Sequence, residues 1–254
     1  MNSTFNTGFE DNFNTALNMS LNDYDYSSLI NFLNSDKIVE KQIAVLKLTE
    51  IRSAKDADLL VSNLVGQNGK IREVVSFKIN ELIKNPDFTE LFLSEKNYEI
   101  FMQAVKDING NVCRQIVEVV VFLKNNHDLS SRSGIPARQQ EVDCDFSEYF
   151  CKILLENIEN SWAEIKTLDL RDKKYVLSKY NFQLYWCLEV LFDFVDMIEF
   201  KRLKKILLEI GEFYDYTIRE KVAKILTKVD NPELSELKEK LKNDENYYVR
   251  RYFN

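Results

Sequence analysis

Residues 68–75 read Asn68-Gly69-Lys70-Ile71-Arg72-Glu73-Val74-Val75, and apolar Ile79 and Leu82 follow at helical spacing. The pattern returns as Asp215-Tyr216-Thr217-Ile218-Arg219-Glu220-Lys221-Val222, followed by Leu226 and Val229. In both segments an Asn or Asp stands where a helix needs a cap, and apolar residues then recur every three or four positions. The two segments predict equivalent helices, at 71–83 and 218–229, each preceded by a polar turn.

Further copies extend this repeat along the chain. One begins at Asn109-Gly110-Asn111-Val112, and a last one reads Asp244-Glu245-Asn246-Tyr247-Tyr248-Val249-Arg250-Arg251. A degenerate copy runs through Ile43, Ala44, Leu48 and Ile51, which lie 31 residues before Val74, Val75, Ile79 and Leu82. Such self-similarity is typical of folds built from stacked helical hairpins. The first helices of these hairpins are predicted at 27–34, 56–65, 95–108, 197–211 and 232–242.

The Ile/Val-Arg pairs that open the second helices resemble the HEAT-like repeat family, most closely its short bacterial form, the PBS-lyase type of HEAT repeat. The matching segments are Lys70-Ile71-Arg72, Thr217-Ile218-Arg219 and Tyr248-Val249-Arg250. The sequence departs from the pattern at Glu40-Lys41, which replace the pair, and at Cys113, which separates Val112 from Arg114. The resemblance covers residues 26–124 and 197–254. It implies an all-α fold, an α-solenoid of HEAT-like helical hairpins.

The composition favours helices and weighs against several kinds of site. Only 6 Gly and 3 Pro occur in 254 residues, so the turn-forming residues that strand-rich folds need are scarce. The net charge of -7 repels phosphate backbones, which argues against nucleic acid as a partner. His127 is the single histidine, and the four cysteines form no C-x-x-C pair. We therefore predict no catalytic residues, no metal site and no cofactor.

Four segments are predicted along the chain. Residues 1–22, rich in Asn, Ser and Thr, form a flexible polar N-terminal segment; its Phe5, Phe9 and Phe13 stand four residues apart, which also fits a short helical docking motif. Residues 23–124 form the N-terminal HEAT-like repeats. Residues 125–143 lack apolar periodicity and form a mobile loop. Residues 144–254 form C-terminal helical hairpins that include HEAT-like repeats.

The repeated arginines, Arg72, Arg219 and Arg250 with the displaced Arg114, have two interpretations. An Arg at the same point of successive hairpins can bond to an acidic or amide side chain in the neighbouring turn, and so join repeat to repeat. We favour this structural role. The alternative is a ladder of cations along a concave groove that grips phosphates or carboxylates.

Residues 175–194 are dense in aromatic side chains and contain a predicted helix, 179–195, that is apolar nearly all round. This favours burial on several sides. The alternative is a ligand pocket in which Tyr185 and Trp186 stack on a flat substrate such as a base or a tetrapyrrole. A basic cluster follows, and it fits either a solvated helix face or a surface for nucleic acid or an acidic protein: Lys201, Arg202, Lys204 and Lys205.

The sequence thus predicts a non-enzymatic, protein-binding adaptor or scaffold, cytoplasmic and without a membrane span, that uses the curved face of a solenoid. The predicted contacts are second-helix residues that point away from the apolar stripe: Glu73, Asn80, Arg114, Glu118 and Lys224. Two alternatives stay open. One is a HEAT-like enzyme of the DNA glycosylase or bilin-lyase type, and the other is a nucleic-acid binder.

Overall fold

The computed structural model describes residues 17–130, 146–168 and 174–253, apart from the side chains of residues 127–130 and 174. Every regular element in these ranges is helical, and they contain no strand. The prediction of an all-α fold is therefore confirmed. The predictions for Phe5, Phe9 and Phe13 and for residues 131–143 lie outside the described part of the chain.

The chain separates into two compact units, Met1–Ile100 and Phe101–Asn254. This division differs from the sequence-based boundary in the loop at 125–143. The helix that begins at Gly110 continues to Ser130, so the predicted start of that loop is six residues or more too early. Polar side chains do not end this helix because they bond within it: Asn126 Nδ2 donates to the Phe122 carbonyl at 2.8 Å.

The first unit contains two helical hairpins and a short helical connection. Its helices are α1 (Tyr26–Leu33), α2 (Ile38–Lys47), α3 (Ala54–Ser62), α4 (Gly69–Leu82) and α5 (Pro86–Thr89), then a 3₁₀ turn (Glu90–Phe92) and α6 (Glu95–Val105), in which the division falls. Helix α2 packs on α1 and α4, and α3 packs on α4. The second helices of the two hairpins, α2 and α4, are therefore neighbours. Residues 17–21 are also helical, although the sequence predicted a flexible segment as far as residue 22.

Side chains in the turns fix where these helices begin. Asp25, Ser53 and Asn68 cap α1, α3 and α4 by accepting from backbone N–H groups two or three residues later, at 2.8, 3.2 and 2.9 Å. Each cap satisfies an amide that has no partner inside its helix, which contributes about 1 kcal/mol. The polar turns predicted from the sequence are thus the places where the chain changes direction.

The second unit contains the remaining helices. They are α7 (Gly110–Ser130), α8 (Phe146–Thr167), α9 (Lys174–Phe194), a 3₁₀ turn (Val195–Met197), α10 (Phe200–Ile210), α11 (Tyr216–Leu226), a 3₁₀ turn (Pro232–Leu234), α12 (Ser235–Lys242) and α13 (Tyr247–Arg250). Helix α9 packs on α7, α8 and α11, and α11 packs on α10, α12 and α13. None of the helices in the described residues is long and apolar enough to cross a membrane.

Helix α9 is buried by neighbours on several sides, as its all-round apolar character predicted. Leu184, Cys187, Leu188, Leu191 and Phe194 are inaccessible to solvent. Burying side chains of this size contributes about 1.5–3 kcal/mol each, so this helix organises the core of the second unit. The sequence-based bounds of 179–195 miss the first turns of the helix, which begins at Lys174.

Candidate functional site

The arginine of each repeated turn bonds to backbone carbonyls of that same turn. Arg219 Nη1 donates to the carbonyl oxygens five and six residues earlier, both at 2.8 Å, and Arg250 Nη1 does the same at 2.7 and 3.0 Å. Arg72 Nη1 donates to the oxygen five residues earlier at 2.5 Å. Turn carbonyls have no helical N–H partner, whereas a guanidinium offers five donors. The arginines therefore fix the turns that lead into α4, α11 and α13.

Arg219 also contacts the turn of the following hairpin. Its Nε and Nη2 donate to the Asp244 carboxylate at 2.7 and 3.1 Å, and the two side chains are only 12% and 8% exposed. Loss of hydration opposes ionisation of Asp244, but hydrogen bonds from Arg219 and from the Asn246 amide outweigh it and hold the pKa of Asp244 below its ordinary value. The pair links α11 to the turn before α13.

Lys41 occupies the place of Arg72 in the repeat, 31 residues earlier. Its Nζ donates at 2.6 Å to Asn63 Oδ1, at the start of the turn between α3 and α4. Lys41 thus reaches the turn of the following hairpin, as Arg219 does. From the sequence, Glu40-Lys41 was only a departure from the HEAT-like pattern. The 31-residue spacing was the signal that could have identified it.

Cys113 occupies the same place in the copy that begins at Asn109. Its Sγ donates at 3.0 Å to the Asp107 carbonyl, six residues earlier. Burial raises the pKa of the Cys113 thiol to about 12, so it keeps the proton that it donates. Arg114 is therefore not a displaced member of the arginine set. It lies on the exposed side of α7, one residue after the repeated position.

The five predicted contact residues are divided between the two units. Asn80 is 6% exposed, because α4 packs against both α2 and α3 and buries most of its circumference, so its prediction as a contact residue is wrong. Glu73 is half-buried on the same helix. Arg114 and Glu118 are exposed one turn apart on α7, in the other unit. Lys224 is committed to an ion pair with Glu189 at 2.7 Å.

A cleft of about 590 Å³ lies in the second unit between α9, the start of α11 and α13. Five aromatic side chains line it: Phe182, Tyr185, Trp186, Tyr216 and Tyr248. The rings of Tyr216 and Tyr248 are stacked with centroids 6.4 Å apart, and Trp186 meets Tyr185 edge-on at 5.4 Å. The aromatic part of α9 thus belongs to the core on one side and to a cleft on the other. The size lies within the range of about 300–1,000 Å³ that is usual for ligand pockets.

The charged side chains of the cleft are two carboxylates and one guanidinium: Asp215, Glu220 and Arg251. Asp215 caps α11 by accepting from the Thr217 amide at 3.0 Å. Arg251 Nη2 donates to Glu220 Oε1 at 2.8 Å, and its guanidinium lies over the Tyr248 ring, 5.3 Å from the centroid. The cleft is therefore aromatic with a negative balance of charge.

Two polar atoms in the wall of the cleft are buried and lack a hydrogen-bond partner in the described part of the chain. They are Trp186 Nε1, a donor, and Asn181 Oδ1, an acceptor. Most buried polar atoms in folded proteins are paired, and each unpaired one costs about 1–3 kcal/mol. Both atoms are shielded from solvent, so they belong to the interior of the wall rather than to the surface that a bound molecule would touch.

Four tyrosines lie near the start of α11 and α13, and we call them the tyrosine rim: Tyr214, Tyr216, Tyr247 and Tyr248. Two of them, Tyr216 and Tyr248, line the cleft. Tyr214 precedes α11, the other three occupy the first turns of α11 and α13, and each of the four is between 41% and 60% exposed. Sequence reasoning concentrated on the aromatic residues of α9 and missed this surface. Tyrosines directly after the Asp215 and Asn246 caps were the available signal, because the first helical position is commonly open to solvent.

The basic cluster on α10 is partly neutralised. Arg202 makes a bidentate contact with Glu159 at 2.8 and 2.9 Å, and Lys204 pairs with Glu233. Lys201 and Lys205 are exposed. An acidic surround of this kind weakens attraction for phosphate.

No group of three or more His, Cys, Asp or Glu side chains arranged to hold a metal ion occurs among the described residues. His127 belongs to α7 rather than to the predicted loop, and its side chain lies outside the description. Comparisons with protein-family models and with curated proteins found no match.

Proposed function

We propose that the protein is a non-enzymatic adaptor or scaffold that binds another protein, and that its hairpins stack as a HEAT-like α-solenoid. The packing order supports the stacking, since α2 neighbours α4 in one unit, and α7, α9, α11 and α13 follow one another in the other. Lys41 and Arg219, at the repeated position, both reach the next turn. Nearest-neighbour contacts of this kind are what stabilise repeat proteins.

The observation that carries the binding function is the tyrosine rim. Tyrosine is enriched at protein interfaces because its ring contributes a large apolar area, its hydroxyl a hydrogen bond, and its two torsions little entropy to lose. Four exposed tyrosines at the starts of two neighbouring helices are a concentration of such side chains. Because Tyr216 and Tyr248 also line the aromatic cleft, a partner would meet both a surface and a recess, the usual arrangement of an interface hot spot.

Affinity capture with the full chain tests this function. The variant Tyr216→Ser/Tyr247→Ser/Tyr248→Ser should lose a specific bound protein that the wild type captures from its own cells. The matched control is Tyr175→Ser, which removes a tyrosine that is 75% exposed on the first turn of α9. Circular dichroism should show the same helix content for all three proteins. Equal capture by the wild type and the triple variant would contradict the proposal.

The nucleic-acid alternative has less support. The chain carries a net charge of -7, and two of the four basic side chains on α10 are paired with carboxylates. The glycosylase and lyase alternatives rest on the aromatic cleft alone, and Asp215 and Glu220 in it both have contacts that account for them: a helix cap and an ion pair.

A further inference from the structure

We propose that the aromatic cleft binds a Lys or Arg side chain carried by an extended segment of the partner protein. The inference rests on the proposed protein-binding function, because it names the chemistry of the segment that the tyrosine rim would hold. It concerns only the second unit, to which every residue lining the cleft belongs.

The combination of rings and carboxylates in the cleft favours a cation. A positive group over the face of Tyr or Trp is attracted by the electron-rich ring, and the attraction grows when water is excluded. Here five aromatic side chains surround Asp215 and Glu220. A neutral flat ligand would gain from the rings but not from the negative charge that Asp215 adds beside the Glu220–Arg251 pair.

Cations of the chain itself already bind to these rings. Arg251 lies over Tyr248 at 5.3 Å and pairs with Glu220 at 2.8 Å. On the other side of the wall, Lys221 lies over Tyr185 at 4.2 Å and pairs with Glu189 at 2.8 Å. Two aromatic side chains of the cleft thus each hold one intramolecular cation beside a carboxylate. The Arg251 side chain is 40% exposed, so an incoming cation can displace it or share its carboxylate.

The cleft also has room for the backbone around such a side chain. Its volume of about 590 Å³ exceeds the needs of a single side chain.

Fluorescence titration of the full chain provides the test. The Trp162→Phe variant leaves Trp186 as the only tryptophan, since the chain has two. The probes are blocked octapeptides of Ala and Ser that carry two Arg, two Lys, two Gln or two Glu. The Arg and Lys peptides should change the Trp186 emission and bind at least about 10-fold more tightly than the Gln and Glu peptides, with affinity that falls as salt is added.

Two variants with opposite expected signs make the test specific. Asp215→Asn/Glu220→Gln should lower the affinity for the basic peptides about 10-fold, because it removes both negative charges while the new Asn still caps α11. Arg251→Met should raise the affinity for the same peptides about 3-fold, because it removes the cation that competes with them. Glu245→Gln is the matched control: its side chain is 92% exposed outside the cleft, and it should change nothing.

Tighter binding of the Glu peptide would show an anion site, and weaker binding of the basic peptides by Arg251→Met would show that Arg251 does not compete with them; either result would overturn the proposal. Absence of peptide binding would also overturn it. If the tyrosine triple variant still lost its captured protein in that case, the adaptor function would stand without this cleft chemistry. If a nucleotide bound instead of the peptides, and Tyr185→Ala abolished that binding, the cleft would be a nucleotide site. Both the proposed peptide binding and the adaptor function would then be wrong.

Discussion

The junction between α2 and α4 and the junction between α11 and α13 use the same position of the repeat with different chemistry. In the first, Lys41 donates to the neutral amide oxygen of Asn63 at 2.6 Å. In the second, Arg219 makes a bidentate contact with the Asp244 carboxylate at 2.7 and 3.1 Å. Both acceptors lie in the turn of the next hairpin, so the cation at this position reaches the same place in both junctions. The acceptor is neutral in the first junction and negatively charged in the second.

This difference gives the two junctions different dependence on pH. Burial lowers the pKa of Lys41, and the Asp36 carboxylate offsets this only in part. The charged Lys41 is therefore held at a cost at neutral pH. The lowered pKa of Asp244 has the opposite meaning, because its charged form is favoured by folding. The second junction contributes stability at neutral pH, and the first contributes less than its geometry suggests.

The largest effect should come from breaking the second junction. Arg219→Ala leaves the Asp244 carboxylate, 8% exposed, without its cation, and also frees two turn carbonyls. We expect the free energy of unfolding to fall by about 3 kcal/mol, measured by urea denaturation followed by circular dichroism.

Arg202→Ala is the matched control for this change. It removes an equally bidentate contact, with Glu159, but these side chains are 37% and 44% exposed. Its cost should stay below about 1 kcal/mol. Similar losses for the two variants would mean that burial does not distinguish the contacts.

A smaller effect, with a defined sign, is expected from pH. Asp244→Asn should cost about 2 kcal/mol at pH 7, since the charged hydrogen bonds to Arg219 weaken. The wild type loses this contribution as pH falls below the ordinary value of 3.8 towards the lowered pKa of folded Asp244, because the unfolded chain then binds the proton first. The difference between wild type and variant should therefore shrink between pH 7 and pH 3 in urea denaturation. A constant difference would disprove the ionic contribution.

The smallest effect should come from the first junction. Lys41→Met removes the hydrogen bond to Asn63, which destabilises the fold, and also removes the cost of burying a charge. These two contributions to the free energy of unfolding should nearly cancel. We expect a change of less than about 1 kcal/mol in either direction at pH 7, by the same measurement. A loss as large as that of Arg219→Ala would show that the two junctions are equivalent after all.

Local patterns predicted the helices well, because caps and apolar spacing act over a few residues. The equivalents of 71–83 and 218–229, α4 and α11, lie within two or three residues of their predicted bounds. Burial was harder to predict. Asn80 lies outside the apolar stripe that the sequence shows on α4. It is nevertheless buried, because α4 packs against two helices, α2 and α3. The end of α7 was missed because asparagines can bond inside a helix.

The cleft could be predicted only in part. Tyr185 and Trp186 were recognised from the density of aromatic residues in α9, but Tyr216, Tyr248 and Arg251 come from distant turns. Their meeting depends on how α9, α11 and α13 pack, which no local pattern contains. The roles of Lys41 and Cys113 were hidden for another reason: different functional groups make equivalent bonds at one position of the repeat.

The bonds from Arg219 and Arg250 to the carbonyls of their own turns bear on how long a partner would stay bound. Stiff turns hold Tyr214, Tyr216, Tyr247 and Tyr248 in place before any encounter, so association requires little ordering of the receptor. Preorganised aromatic contacts act mainly on the dissociation rate. A complex formed here should therefore be distinguished by a long residence time rather than by fast capture.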